Sequence, residues 1–137
     1  MYKKIDNQDI KYLKSLFEDG YALFGSEISQ DYGHDELGTV ANMPDALLFV
    51  RSAEEVSKVL KYANEKIIPV TVRGSGTGLV GACVPLNGGI MIDTTKMNHF
   101  LELDENNLTL TVEPGVLLME IYDYVEPKGY LYAPDPG

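Results

Sequence analysis

The sequence predicts a mixed α+β protein: a small sheet built around a βαβ unit, flanked by helices and followed by a β-hairpin. Three observations carry that prediction. The apolar runs ALLFV and IIPVTV bracket a segment of helical period, a glycine-rich stretch RGSGTGLVG follows the second run, and FLELD and LTLTVE alternate apolar with polar residues. With 137 residues and 45% hydrophobic content, the chain is the size of one domain with a true core.

The elements follow in order. Asp6 precedes Ile10, Leu13, Leu16 and Phe17 at helical spacing, with Asp9 three residues on as an imperfect capping box and Gly20 suiting the exit, so a first helix is expected over about residues 8–18. From Tyr21 to Pro44 the chain is broken by Gly25, Gly33 and Gly38 and carries the polar cluster SQDYGHDELG, which predicts an irregular arm. ALLFV is then a strand. Ser52 and Glu55 form a capping box that opens a helix with Val56, Val59, Leu60 and Ala63 on its apolar face. IIPVTV is a second strand ending at Arg73, parallel to the first because a crossover helix joins them. GGIMID reads as a third strand and TTKMNHF as a turn or short helix. The hairpin turns around Glu105, Asn106 and Asn107, and Pro114 with Gly115 stops it. Val116, Leu117, Ile121 and Val125 resume a helical stripe ended by Pro127 and Gly129, and YLYAPDPG is extended.

Composition narrows the function. Eleven basic against twenty-one acidic residues give a net charge of −10, which disfavours nucleic acid and acidic membrane surfaces as partners. No run of eighteen apolar residues and no signal-peptide core occur, and Cys83 is the single cysteine, so a cytoplasmic protein without disulfide or cysteine-built metal site is expected. Any anion that binds must be held locally.

The loop is where an anion could be held. Gly76, Gly78 and Gly81 fit the spacing G-x-G-x-x-G, yet a dinucleotide fold needs those glycines to open a crossover helix. Only six residues, 82–87, separate Gly81 from Gly88 and Gly89, and Pro85 is among them, too few for that helix. Asp93, placed like a ribose-binding acid at a strand end, loses its context. No Gly-Lys-Ser or Gly-Lys-Thr follows, which excludes a P-loop. Two explanations stay open: a plain glycine turn between strands, or a nest whose consecutive N–H groups converge on an anion. Arg73 is either a cation for that anion or the partner of a nearby carboxylate.

The order PDALLFVRSAEEV, KYANEKIIPVTVRGSGTGLVGACVP, GGIMIDTTKMN, LTLTVEPGV and GYLYAPDPG resembles the FAD-binding domain of the vanillyl-alcohol oxidase and para-cresol methylhydroxylase (PCMH) type. Within it, the glycolate oxidase D subunits and D-lactate dehydrogenases are most similar. The resemblance covers about residues 31–137, leaving residues 1–30 as an N-terminal helix and arm. It implies that Arg73, Gly74, Ser75, Gly76, Thr77 and Gly78 wrap the FAD pyrophosphate, that Gly81, Ala82 and Pro85 lie along the cofactor, and that Pro134 and Asp135 pass near it. Val72 is a weaker carry-over, and Gly115 reads as a turn glycine. Relatives that attach FAD covalently carry a histidine where Thr77 stands here, so non-covalent FAD is expected; His34 and His99 stand outside the loop. The family continues beyond PDPG into the rest of the FAD domain and a cap domain. The chain thus reads as the N-terminal piece of a flavoenzyme oxidising a small 2-hydroxy acid, with possible redox partner subunits, inactive and weakly FAD-binding alone. A stand-alone FAD or nucleotide-binding module, or a reductase of the UDP-N-acetylenolpyruvylglucosamine type, are the alternatives.

Overall fold

The computed structural model describes residues 1–134. The chain forms two compact units, Met1–Lys96 and the residues from Met97 on.

The first unit holds α1 (Asn7–Ser15), β1 (Ala22–Phe24), β2 (Ala46–Phe49), α2 (Ala53–Lys66), β3 (Val70–Arg73) and β4 (Ile90–Asp93). Asp6 caps α1 as expected, accepting from the N–H groups of Gln8 and Asp9 at 2.8 and 3.1 Å, while Asp9 accepts from the Asp6 N–H at 2.9 Å. The helix stops earlier than residue 18, at the cap residue Leu16. At α2 the Ser52 hydroxyl accepts from the Glu55 N–H at 3.2 Å, but Glu55 reaches past Ser52 to the Arg51 N–H at 2.7 Å and pairs with its guanidinium at 3.0 Å. One half of the expected capping box is thereby replaced by an ion pair. Val59 and Ala63 are buried on α2, whereas Leu60, placed on the apolar face by its spacing, is 45% exposed.

The sheet runs in the order β1-β2-β4-β3. The two strands of the βαβ unit, β2 and β3, are parallel as expected but are not neighbours: β4 lies between them and pairs in parallel with both, Leu47 opposite Met91 and Thr71 opposite Met91. β1 is a strand inside the arm expected to be irregular, and pairs antiparallel to β2. β4 is buried throughout, which its continuous apolar run IMI requires, and Leu47, Met91 and Ile28 form a core cluster against Leu23, Tyr32, Met43 and Phe49.

Asp9 serves more than the cap. It is 1% exposed and receives the Lys3 ammonium and, at 2.6 Å, the Tyr62 hydroxyl, while Tyr12 stacks on Tyr62 at 4.2 Å between ring centroids. Burial alone would push the Asp9 carboxyl up; Lys3, Tyr62 and the Asp6 N–H outweigh it and hold the carboxyl down at about 2. A depressed carboxyl stabilises the fold fully above its unfolded value near 3.8 and progressively less as pH falls toward 2. Asp9→Asn is therefore expected to cost about 2 kcal/mol at pH 7, with the difference from wild type shrinking between about pH 4 and pH 2 in urea titrations.

The second unit contains the expected hairpin, β5 (Phe100–Asp104) and β6 (Thr109–Val112), and α3 (Leu118–Val125). The Asp104 carboxylate accepts from the N–H groups of Asn106 and Asn107, both at 3.0 Å, which closes the turn. TTKMNHF forms a turn and no helix. Phe100 stacks on Tyr124 of α3 at 4.4 Å. Gly115 donates to the Met97 carbonyl at 2.7 Å in the turn after β6, and the 3-10 turn Glu126–Lys128 that follows α3 ends at Gly129 with φ of +84°.

Candidate functional site

The glycine loop joins β3 to β4, two adjacent parallel strands, and among the described residues no helix lies between them. A dinucleotide-type crossover is excluded by that path. Asp93, at the end of β4, is 2% exposed and its carboxylate is taken by the N–H and hydroxyl of Thr95 at 2.8 and 2.5 Å.

The loop's donors fall into two groups. No backbone N–H of residues 75–80 donates a hydrogen bond within the described residues. The Gly81 N–H, by contrast, is given to the Asp35 carboxylate at 2.7 Å. Ser75, Thr77, Gly78, Leu79 and Val80 are exposed, Gly76 and Gly81 have φ of +78° and +74°, and open space surrounds Gly74, Gly78 and Gly81. Five of these six residues are exposed and Gly76 is half-buried, so their unspent donors form a surface that an acceptor-rich ligand can cover.

Arg73 lies beneath this run. It is 9% exposed, and its guanidinium donates to the carbonyl oxygens of His34 at 2.7 Å and Asp31 at 3.1 Å, touches Cys83 Sγ at 3.5 Å and stands 5.3 Å over the Tyr32 ring. A Cβ added at Gly76 would come within 2.1 Å of Arg73 Nη2. Of the two expectations for Arg73, the carboxylate partner is not found among the described residues. The N–H groups of Arg73 are engaged with main-chain carbonyls. It stands as a buried cation under Gly76. Tyr32, raised above the ordinary phenol value by burial and then by the nearby Asp93 charge, packs edge-on to Phe49 at 6.1 Å and completes the support.

The arm supplies the other wall. His34 bridges to Ala41, the Asn42 N–H donates to the Gly33 carbonyl at 2.9 Å, and Gly38 turns with φ of +67°, so residues 34–41 form a small flap. The Glu36 N–H donates to the Gly78 carbonyl at 3.3 Å. Asp35, 3% exposed, accepts from Gly81 with one oxygen and from the Gly38 N–H with the other at 3.1 Å. These backbone donors, Gly81 first, hold its carboxyl below the ordinary aspartate value.

The remaining expected residues divide. Val72 is 57% exposed on β3, the edge strand, and Ala82 is exposed. Pro85 is fully buried, its carbonyl accepting from the Asn42 side chain and the Gly88 N–H, both at 2.8 Å, so it anchors the far end of the loop. Pro134 belongs to the second unit, where its carbonyl accepts from the Tyr122 hydroxyl at 3.1 Å; Asp135 lies outside the described residues. No cluster of His, Cys, Asp or Glu suited to a metal occurs among the described residues, and no helix there is long and apolar enough to cross a membrane.

Residues 44–137 match the model of the FAD binding domain. The chain belongs to that family. It is 41% identical over 137 residues to a D-lactate dehydrogenase of Anaerostipes hadrus, covering 99% of this chain and 29% of the relative. It is 42% identical over 106 residues to the glycolate oxidase subunit GlcD of Bacillus subtilis, covering 77% of this chain and 23% of the relative. Among solved structures, p-cresol methylhydroxylase superposes with a TM-score of 0.76 at 27% identity, over 90% of this chain and 25% of that one. The FAD-binding fold of this type is thus the fold of this chain, which spans less than a third of the length of these relatives.

Proposed function

We propose that the loop of this FAD-binding domain holds the cofactor's pyrophosphate on the N–H groups of residues 75–80, with Arg73 as the cation beneath. The six unspent donors carry this reading. Hydrogen bonds to a charged acceptor contribute about 1.5–3 kcal/mol each, so three or four of them can hold a diphosphate on a protein of net charge −10. Gly74, Ser75, Gly76, Thr77 and Gly78 form the cradle, Gly81, Ala82 and Pro85 frame its exit, and Val72 flanks the cofactor further along. Thr77 offers no imidazole for a flavin bond, so FAD is held non-covalently.

Residues 31–137 are the first part of the FAD-binding domain and residues 1–30 its N-terminal helix and arm. The full-length protein is a flavin-dependent oxidoreductase acting on a small 2-hydroxy acid of the glycolate or D-lactate type, a reading supported by the names of its relatives. When bound, FAD supplies a hydride acceptor for oxidation of the hydroxyl-bearing carbon. The residues of this chain bind and orient the cofactor; the groups that position the acid and take its proton belong to the remainder of the protein. A cytoplasmic location and redox partner subunits complete the proposal.

The full-length protein should purify yellow, release FAD on acid precipitation, and be bleached by glycolate or D-lactate under anaerobic conditions. A protein that neither carries FAD nor takes it up when titrated would overturn the assignment. The isolated 137-residue chain should bind FAD only weakly, which quenching of flavin fluorescence measures.

A further inference from the structure

Asp35 lies before the segment that matches the FAD binding domain, in the polar arm, and makes contacts that surface acids rarely make. It is buried, both oxygens are occupied by backbone N–H groups, and one of those groups is Gly81, at the end of the unspent run. A carboxylate so close to an anion-binding loop repels the anion, so its presence asks for a compensating role. Its geometry supplies one. Asp35 and the Glu36 N–H together tie the flap of residues 34–41 to two points of the loop, Gly81 and Gly78, while Arg73 ties the base of the same flap through the carbonyls of Asp31 and His34. The loop between Arg73 and Gly81 is therefore fixed at its start, at Gly78 and at its end, with the intervening donors left over.

We propose that Asp35 is a positioning residue for the cofactor: by taking the Gly81 N–H it pins the end of the loop, so that the N–H groups of residues 75–80 stand preorganised for the pyrophosphate. This rests on the reading that the loop holds FAD. Preorganisation raises affinity because the ordering cost of the loop is met on folding rather than on binding.

Asp35→Asn separates this role from mere filling of space. The carboxamide has nearly the same volume but one acceptor oxygen, so either Gly81 or Gly38 would face an N–H donor. In the full-length protein, FAD affinity is expected to fall ~10-fold or more for Asp35→Asn. Asp9→Asn, whose site contacts Lys3, Asp6 and Tyr62 and not the loop, serves as the control for lost stability and should keep FAD affinity within about twofold. Residue-resolved hydrogen exchange on the wild-type protein stripped of flavin gives a readout that needs no variant. The Gly81 amide should be protected with and without FAD, and the amides of residues 75–80 only with it. Wild-type protein that takes up no FAD overturns the reading of the loop, and the positioning role with it. Wild-type protein that binds FAD, with Asp35→Asn binding equally well or with Gly81 exchanging as fast as residues 75–80 in the stripped protein, overturns the positioning role alone.

Discussion

Gly76→Val in the full-length protein is expected to abolish FAD retention. Gly76 combines two constraints that no other residue of the loop combines: a φ of +78°, and a guanidinium so close that a Cβ would stand 2.1 Å from Arg73 Nη2 and 2.5 Å from its Cζ. The end of an arginine can usually swing away, but Arg73 is 9% exposed and held by the carbonyls of Asp31 and His34. Moving it releases the flap; leaving it in place forces the loop outward. Either way at least two of the main-chain donors lose register with the pyrophosphate, which at about 1.5–3 kcal/mol each weakens binding by ~10²–10⁴-fold. The flavin absorbance of the purified variant measures this directly, and a fully yellow protein would sink the nest. Gly20→Ala is the comparison: φ there is +86° with nothing within 4 Å of an added Cβ, so it carries backbone strain of about 1 kcal/mol without touching the site.

How much of this was legible in the sequence depends on the range of the interactions involved. Local signals read well. The Asp6 cap, the ALLFV–helix–IIPVTV order, the hairpin around Asn106 and the Gly129 exit all rest on neighbours within a few residues, and the structure has each. Strand order did not read, because the place of β4 between β2 and β3 is decided by which buried run fits the centre of the sheet, and IMI and ALLF look alike in composition. β1 escaped because three residues framed by Gly20 and Gly25 carry no period of their own and become a strand only by pairing with β2.

The site shows the same division. Gly74, Gly76, Gly78 and Gly81 announced a loop with unusual main-chain freedom, and the absence of room for a crossover helix followed from Pro85 and the Gly88-Gly89 pair. Which amides are spent was not legible. Gly81 looked equivalent to its neighbours until the carboxylate of Asp35 was seen to occupy its N–H. Asp35 itself is one of three acids in QDYGHDEL, and nothing in that string distinguishes it from Asp31 or Glu36, which are exposed. Arg73 was visible as a cation at the loop's start, but its burial depends on an arm nearly forty residues earlier folding back over it. Sequence motifs thus located the loop, and long-range contacts decided what each of its groups can do.

Gly89→Val should be strongly destabilising in the first unit. Gly89 has φ of +76°, and a Cβ there would lie 2.3 Å from the Pro69 carbonyl oxygen and 2.6 Å from the Pro69 ring. Unlike Arg73 at Gly76, the obstacle is main chain. That oxygen accepts the Ile90 N–H at 2.9 Å where β4 begins, and the Gly89 carbonyl accepts from Asp45 and Ala46 at 2.8 and 3.1 Å where β2 begins. The Gly89 N–H is also held, by the Asp45 carboxylate at 2.7 Å. A side chain must therefore part β4 from both of its parallel neighbours, at a strand that is buried along its whole length. Left-handed backbone strain in a β-branched residue, the steric displacement and two or three lost hydrogen bonds together cost about 4–6 kcal/mol, comparable with the whole stability of many domains. Gly88→Ala separates the contributions. It has a similar φ of +67°, but its Cβ would meet only the Asp45 carboxylate, at 3.0 Å, so about 1–2 kcal/mol is expected. Urea unfolding of the two variants should rank Gly89→Val far below Gly88→Ala; equal midpoints would show that positive φ alone, and not the approach of Pro69, makes glycine necessary where the loop returns to the sheet.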